Sequence, residues 1–391
     1  MNILVVLGTR PDAIKLAPVI KALRRQRSFR VRVCATDQHG DLLDPVLDCF
    51  SIRPDCRLRV MRRNQTLGGL TARLLERLAP VLAAERPDLV IVQGDTTTAL
   101  AAALSAHYLR IPVAHVEAGL RSGDKFAPFP EEMNRRLISR LADYHFAPTP
   151  HARDNLLAEG IPRRSIAVTG NTAIDAVLAV ARRARRAARP PDPVAGVAWD
   201  RQRVVLVTLH RRESFGEPLR RACRALAVLA ERNPGVEFVF PVHPNPRVRP
   251  VARQMLGGRA NVHLVEPLDY PSFVWCMARA SLIISDSGGV QEEAPSLGVP
   301  VLVARDVTER IEGIEAGMAR LVGTDPRKII AEAQALLDAA APRTSQRKSR
   351  SFGRNPYGDG RASERIAAFL AKNTLPRRRI RPSRPSRPFR R

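Results

Sequence analysis

Short apolar runs alternate with amphipathic stretches along almost the whole chain. Asn2–Leu7, Arg30–Thr36, Leu89–Val92 and Pro112–Val116 read as strands covered on both faces. Between them, apolar positions recur at helical spacing, for example over Ala13–Arg25 and Leu67–Ala84. This alternation predicts α/β architecture with parallel sheets wound by helices. The first series runs out near Thr169-Gly170-Asn171-Thr172. Ala181–Asp200, rich in arginine, proline and alanine, is expected to hold a helix end and a linker. A second series follows, with strands at Arg203–Leu209, Val236–Pro241, Val262–Val265, Ser281–Ser285 and Pro300–Val303. Further helices are expected after Pro326 and near Arg361–Ala371. No short-period repeat is present. Two open sheets facing each other imply a ligand cleft between domains.

At 391 residues the chain is too long for one ordinary core, which fits the two series. An apolar fraction of 45% is that of a globular protein. No apolar run approaches a membrane span, and the start lacks the pattern of a signal peptide. The five cysteines are scattered without metal-ligand spacing and read as reduced residues of a cytoplasmic protein. The net charge of +26 invites a nucleic-acid reading. Arginine supplies most of it, eight of them in the last fifteen residues, where proline and serine are interleaved and no core can form. That tail is expected to be a disordered solvated extension. The folded part carries no nucleic-acid motif and few aromatics, so no specific nucleic-acid partner is expected.

Three acidic motifs dominate the first half: Gln93-Gly94-Asp95-Thr96, His115-Val116-Glu117-Ala118-Gly119 and Phe129-Pro130-Glu131-Glu132-Met133-Asn134-Arg135. The first two follow apolar strands, and carboxylates at the ends of neighbouring parallel strands converge on the ligand crevice. Several carboxylates in one site let one hold a proton while another is ionised. Glu131 and Arg135, four apart on a helical start, are expected to form an ion pair. Gly8-Thr9-Arg10-Pro11-Asp12-Ala13-Ile14-Lys15 joins the first strand to a helix, with Arg10 and Lys15 available to a pyrophosphate. It is neither a Walker loop nor the dinucleotide fingerprint, and G-x-G-x-x-G occurs nowhere in the chain. In the second half, Ser285-Asp286-Ser287-Gly288-Gly289-Val290-Gln291-Glu292-Glu293 again joins strand to helix. Ser287, Gly288 and Gly289 offer donors to phosphate oxygens, and a glutamate one turn on can accept ribose hydroxyls. Phe273 can stack on a base, although spacing alone reads it as a core residue. His210 ends a strand beside Arg211 and Arg212, and His243 lies in a similar but weaker motif.

Together these blocks resemble the non-hydrolysing UDP-N-acetylglucosamine 2-epimerases, which interconvert UDP-GlcNAc and UDP-ManNAc. The match runs in order from Asn2 to about Leu370, including Asn355-Pro356-Tyr357-Gly358-Asp359-Gly360. The resemblance implies two Rossmann-like domains of the glycosyltransferase-B type. They would cover 1–171 and 172–360, with a helix at 361–372 crossing back and a tail at 373–391. It implies a homodimer needing neither metal nor NAD. Its chemistry is elimination of UDP to 2-acetamidoglucal and re-addition, supplying ManNAc for surface polysaccharide. The family correspondence makes Asp95, Glu117 and Glu131 candidate acid/base groups. It places Arg10, Lys15, Arg135, His210 and Arg310 near substrate or phosphate, and Ser287, Gly288, Gly289, Glu293 and Phe273 at the nucleotide. A sister epimerase acting on a UDP-2,3-diacetamido uronic acid shares these motifs. A glycosyltransferase of the same fold would not need the clustered carboxylates, and a UDP-sugar scaffold protein would not need them intact.

Some positions depart from the family pattern. Asp12 stands for glutamate, Leu209 for a small or polar residue, Val307 for threonine, and Ile311 for the proline after Arg310. Bacterial relatives bind a second UDP-GlcNAc as an activator beside the active site. Gln38, His39 and His243 match that regulatory region, whereas Gly40, Asp41 and Asn64 depart from it. Asp41 would repel a diphosphate, so activation is expected to be weak or absent.

Overall fold

The computed structural model describes residues 1–38, 40–186, 189–211, 214–308, 310–339 and 355–373. His39 and the expected tail at 373–391, apart from Asn373, lie outside these residues, and Asn373 belongs to the last helix instead. Among them, the first sheet has seven parallel strands: β1 Asn2–Leu7, β2 Arg30–Ala35, β3 Cys56–Arg57, β4 Leu89–Gln93, β5 Val113–Val116, β6 Tyr144–Ala147 and β7 Ile166–Val168. The second has six: β8 Arg203–Thr208, β9 Val236–Pro241, β10 Val262–Val265, β11 Leu282–Ser285, β12 Val301–Val303 and β13 Ala319–Leu321. The helices wound on the first sheet are α1 Arg10–Arg24, α2 Asp44–Cys49, α3 Leu67–Glu85, α4 Thr97–Tyr108, α5 Glu131–Leu141, α6 Pro150–Ala158 and α7 Thr172–Arg186. Those following β8 are α8 Glu217–Arg232, α9 Arg249–Leu256, α10 Tyr270–Arg279, α11 Gly288–Ser296, α12 Ile311–Glu315 and α13 Pro326–Asp338, and α14 Ala362–Asn373 closes the chain's described part.

Strand order explains where a site can form. The first sheet runs β3-β2-β1-β4-β5-β6-β7 and the second β10-β9-β8-β11-β12-β13. Connections therefore reverse between β1 and β4 and again between β8 and β11, opening a crevice beyond the strand C-termini at each switch. The loops carrying Arg10, Asp95, His210 and Ser287 leave these four strands. Gly8 is needed at the first turn, because a Cβ there would fall 2.3 Å from both Thr36 Oγ1 and Thr98 Oγ1.

Local chemistry sets the element ends. Thr9 caps α1, and Asp12 reaches back to the cap in a reciprocal capping box, so the helix begins at Arg10 rather than Ala13. Helix α3 buries Leu70, Leu74, Leu78 and Leu82, a one-sided stripe at i+4 spacing. Each is worth about 1.5–3 kcal/mol relative to exposure. Strands β3, β6, β7 and β13 are additional to the sequence reading. Each has at most four residues, too few to show a periodic signal.

The two domains share apolar packing. One cluster runs from Ile3 and Val5 through Val177 and Val180 of α7 to Val204 and Leu206 of β8. Helix α14 lies back on the first domain: Phe369 meets Phe146 edge-on at 5.5 Å between centroids. Its N-terminal amides, Ala362 and Ser363, donate to the Asp175 carboxylate at 3.1 and 2.8 Å. No described helix is long and apolar enough to cross a membrane.

Candidate active site

On the first-domain face, Lys15 on α1 reaches Glu117 just beyond β5, with Nζ 2.7 Å from Oε1 and 2.5 Å from Oε2. Gln93 Nε2 donates to Glu117 Oε2 at 3.1 Å. Glu117 sits at φ +64°, a left-handed conformation that is uncommon for a residue with a Cβ and is frequent at functional sites. Burial alone would lower the pKa of Lys15, but the Glu117 and Glu292 carboxylates hold it above the ordinary lysine value.

The second pair is Asp95, just beyond β4, with Arg135 of α5, Oδ2 to Nη2 at 2.8 Å. Asn134 Nδ2 fixes the Asp95 carbonyl at 2.8 Å. Behind this turn the buried His115 meets the Gly94 carbonyl through Nε2 at 2.7 Å, and burial lowers its pKa to about 3, so it is neutral. Burial pushes Asp95 above the usual carboxylate range against the pull of Arg135, with Glu117 and Glu131 adding to the push. A carboxyl so placed can hold a proton near neutral pH more readily than one in water.

The expected Glu131–Arg135 ion pair does not form. Arg135 Nε reaches only the Glu131 carbonyl, at 3.3 Å. Its guanidinium is taken by Asp95 and faces Glu132 at 3.7 Å. Glu131 Oε2 is buried with no hydrogen-bond partner, available to a reacting group. Its neighbour Glu132 is wholly buried. It accepts from Arg136 Nε at 2.8 Å and from the Ser122 amide at 3.0 Å, and so anchors the loop before α5.

Asp12, beneath the first loop, accepts from the Gly8 and Thr9 amides at 3.1 Å each. Burial raises its pKa to about 6.

On the second-domain face, Asp286 accepts from the amides of His210 and Arg211 at 2.8 and 2.9 Å. His210 Nδ1 is 3.3 Å from Asp286 Oδ1, and the His243 ring stacks on His210 at 5.7 Å. Burial lowers the pKa of His210 despite Asp286, and Arg211, His243 and Arg10 push the same way. Ser287 caps α11 without a side-chain cap bond, and Gly288 and Gly289 form its first turn. The Ser287 amide donates to Ser285 Oγ at 2.9 Å, while the amides of Gly288 and Gly289 are orphan donors of the kind that hold phosphate. The Arg310 guanidinium lies over this turn: a Cβ on Gly288 would fall 2.6 Å from Arg310 Cζ. Glu293 is buried, and its pKa is raised to about 8 by burial and then by Glu292, with Lys15 and Arg10 opposing. Phe273 is half-buried on α10, packed against the shared apolar cluster.

Arg10 and Lys15 of the first domain thus act electrostatically on His210, Glu292 and Glu293 of the second, and the two faces form one charged cleft. Gln38 Oε1 accepts from the Thr98 amide and hydroxyl at 3.2 and 2.8 Å. His39 and the Asp41 side chain are outside the description. Gln93, Glu132, Asn134, Asn171, Asp286 and Glu292 join the network without having been singled out. Their signal was polar character inside otherwise buried segments, within or beside the motifs already quoted.

The family model described as UDP-N-acetylglucosamine 2-epimerase matches residues 21–371. A UDP-N-acetylglucosamine 2-epimerase of Salmonella typhimurium is 50% identical over 378 residues, covering 95% of this chain and 98% of that protein. The structure of UDP-GlcNAc 2-epimerase from Neisseria meningitidis bound to UDP-GlcNAc is similar at a TM-score of 0.88 and 43% identity, covering 95% of this chain and 100% of that one. The Methanocaldococcus jannaschii enzyme in complex with UDP-GlcNAc and UDP gives a TM-score of 0.79 at 35% identity, covering 95% and 99%. The architecture is accordingly the glycosyltransferase-B type, two parallel-sheet α/β domains about a cleft. With sequence, motif order and fold in agreement over nearly its full length, the chain belongs to the UDP-N-acetylglucosamine 2-epimerase family of isomerases.

Proposed function

We propose that this protein interconverts UDP-GlcNAc and UDP-ManNAc by eliminating UDP to give 2-acetamidoglucal and adding it back with the proton delivered to the opposite face of C2. The observation that carries this reading is the convergence of the Arg135-paired Asp95 and the Lys15-paired Glu117 beside the unpaired Glu131, opposite a glycine-rich helix N-terminus. Carbon 2 is not adjacent to a carbonyl, so its proton is removed only as the anomeric C1–O bond to the diphosphate breaks. That demands two protic groups on opposite faces of the sugar and cations for the departing UDP. The three carboxylates supply the first. Arg10, Lys15, Arg135, His210 and Arg310 supply charge and donors for the second. The Gly288 and Gly289 amides and the Ser287 hydroxyl hold phosphate oxygens, Glu293 takes the ribose hydroxyls, and Phe273 stacks on uracil. The enclosed cleft keeps the glucal from escaping before UDP returns.

In this reading the enzyme is a cytoplasmic homodimer supplying ManNAc units for surface polysaccharide. Its domains divide at 171/172, and its C-terminal helix crosses back to the first. The test is proton NMR of UDP-GlcNAc with the protein in D2O. Appearance of UDP-ManNAc carrying deuterium at C2 is expected; intact C2–H after prolonged incubation would overturn the proposal.

A further inference from the structure

The chain passes between the two domains twice, at residues 169–171 and 355–360, and the passages touch. Gly170 is at φ +90° and Gly358 at φ +138°, and a Cβ on Gly170 would lie 3.3 Å from Gly358 Cα. Here four residues from four segments close a ring of hydrogen bonds. The Asn171 amide donates to the Tyr357 carbonyl at 2.6 Å. Tyr357 Oη donates to the Arg310 carbonyl at 3.0 Å and accepts from the Gly313 amide at 3.0 Å. Arg310 Nε donates to Glu292 Oε1 at 2.9 Å. Asn171 Nδ2 donates to Glu292 Oε2 at 2.8 Å and completes the circuit.

Glu292 is only 2% exposed, and a carboxylate so buried is tolerated when its oxygens are bonded and its charge matched. One oxygen takes the side-chain amide of the crossover, and the other takes the guanidinium that lies over the α11 N-terminus. Asn355 Nδ2 further pins the Glu292 carbonyl at 2.9 Å and Ser296 Oγ at 2.6 Å, so the second passage grips α11 directly. Burial raises the Glu292 pKa above the ordinary carboxylate value, against the Coulomb pull of Arg310 and Lys15. Among the described residues, no hydrogen bond joins the adjacent Glu293 to the crossover.

We propose that Glu292 is a positioning residue that ties Arg310 to the paired interdomain crossovers, so that the placement of this cation for the diphosphate is set by the geometry of the crossovers. The inference rests on the epimerase reading for what Arg310 does and on the ring alone for what holds it. A positioning role and a merely structural one differ in coupling: a residue acting through Arg310 has nothing left to contribute once Arg310 is gone.

The test is a double-mutant cycle in kcat/KM for UDP-GlcNAc with Glu292→Gln, Arg310→Met and the double variant, each checked for folding by its melting temperature. Glu292→Gln is expected to lower kcat/KM about 10-fold in the wild-type background and less than about 2-fold in the Arg310→Met background. Tyr357→Phe removes one hydroxyl from the same ring. It keeps the test available if Glu292→Gln fails to fold, and it should show a smaller loss with the same dependence on Arg310. Losses that multiply in the double variants, or wild-type kcat/KM in both Glu292→Gln and Tyr357→Phe, would overturn the proposal. Absence of turnover by the wild type would count against the epimerase reading instead. The cycle is then read in UDP affinity by calorimetry, where the same coupling supports the ring and additivity sinks it.

Discussion

On the first-domain face of the cleft, two of the three candidate carboxylates carry a basic partner in direct contact: Lys15 on Glu117 and Arg135 on Asp95. On the second-domain face, the α11 N-terminus presents the Gly288 and Gly289 amides, and the acid proposed to meet the nucleotide, Glu293, has a pKa raised to about 8 by burial and Glu292. Paired charges on one face can pass a proton without leaving a bare ion in a dry site. Amides at a helix N-terminus are fixed dipoles that bind phosphate whatever the protonation state around them. Under the proposed function, proton handling belongs to the first face and nucleotide holding to the second.

The strongest way to break that division is to remove charge from the first face. Glu117→Gln or Asp95→Asn is expected to lower kcat by about 100- to 10,000-fold while UDP affinity by calorimetry stays near wild type. A matched loss of UDP binding would erase the contrast. Next in size is Phe273→Ala on the second face. Loss of a stacked base costs about 1–3 kcal/mol, or about 5- to 150-fold in UDP affinity, with C2 exchange at saturating substrate little changed.

The raised pKa of Glu293 sharpens the comparison through pH. Between its unfolded value of 4.5 and its folded value of about 8, the native protein keeps a proton that the unfolded chain has lost. Its contribution to stability is therefore complete below pH 4.5 and declines as pH rises toward about 8. Glu293→Gln should remove that decline, so the variant's melting temperature gains on wild type across this window. Asp12, raised to about 6, acts in the same sense but is common to both proteins and cancels in the difference. A constant difference across the window would contradict the burial of a protonated acid. The smallest effect concerns regulation. With Gly40 and Asp41 standing where relatives commonly carry arginine and glutamine or glutamate, and Gln38 bonded to Thr98, initial rates against UDP-GlcNAc are expected to be hyperbolic. A sigmoidal curve would show that a second substrate site survives.

Much of this molecule was legible in its sequence because long apolar strands and strand-end motifs coincide. β1, β4, β8 and β11 are the strands that flank the two switch points, and each was visible as an apolar run. Spacing did not reveal which member of an acidic pair faces the cleft. Glu131 and Glu132 are neighbours, yet one leaves an oxygen unpartnered while the other is spent on Ser122 and Arg136. Glu292 and Glu293 divide in the same way, one bonded to the crossover and Arg310. Such choices depend on long-range partners, as when Asp95 draws Arg135 away from Glu131, a residue four positions off on the same helix. Local periodicity carries no information about them.

The division of labour is tested most directly by following deuterium uptake at C2 of UDP-GlcNAc beside UDP affinity, for wild type and Glu117→Gln under identical conditions. The account predicts exchange in the wild type, its loss in the variant, and UDP dissociation constants within about 2-fold of each other. Exchange that persists in Glu117→Gln, or UDP binding that vanishes with it, would contradict the assignment of proton chemistry to the first face.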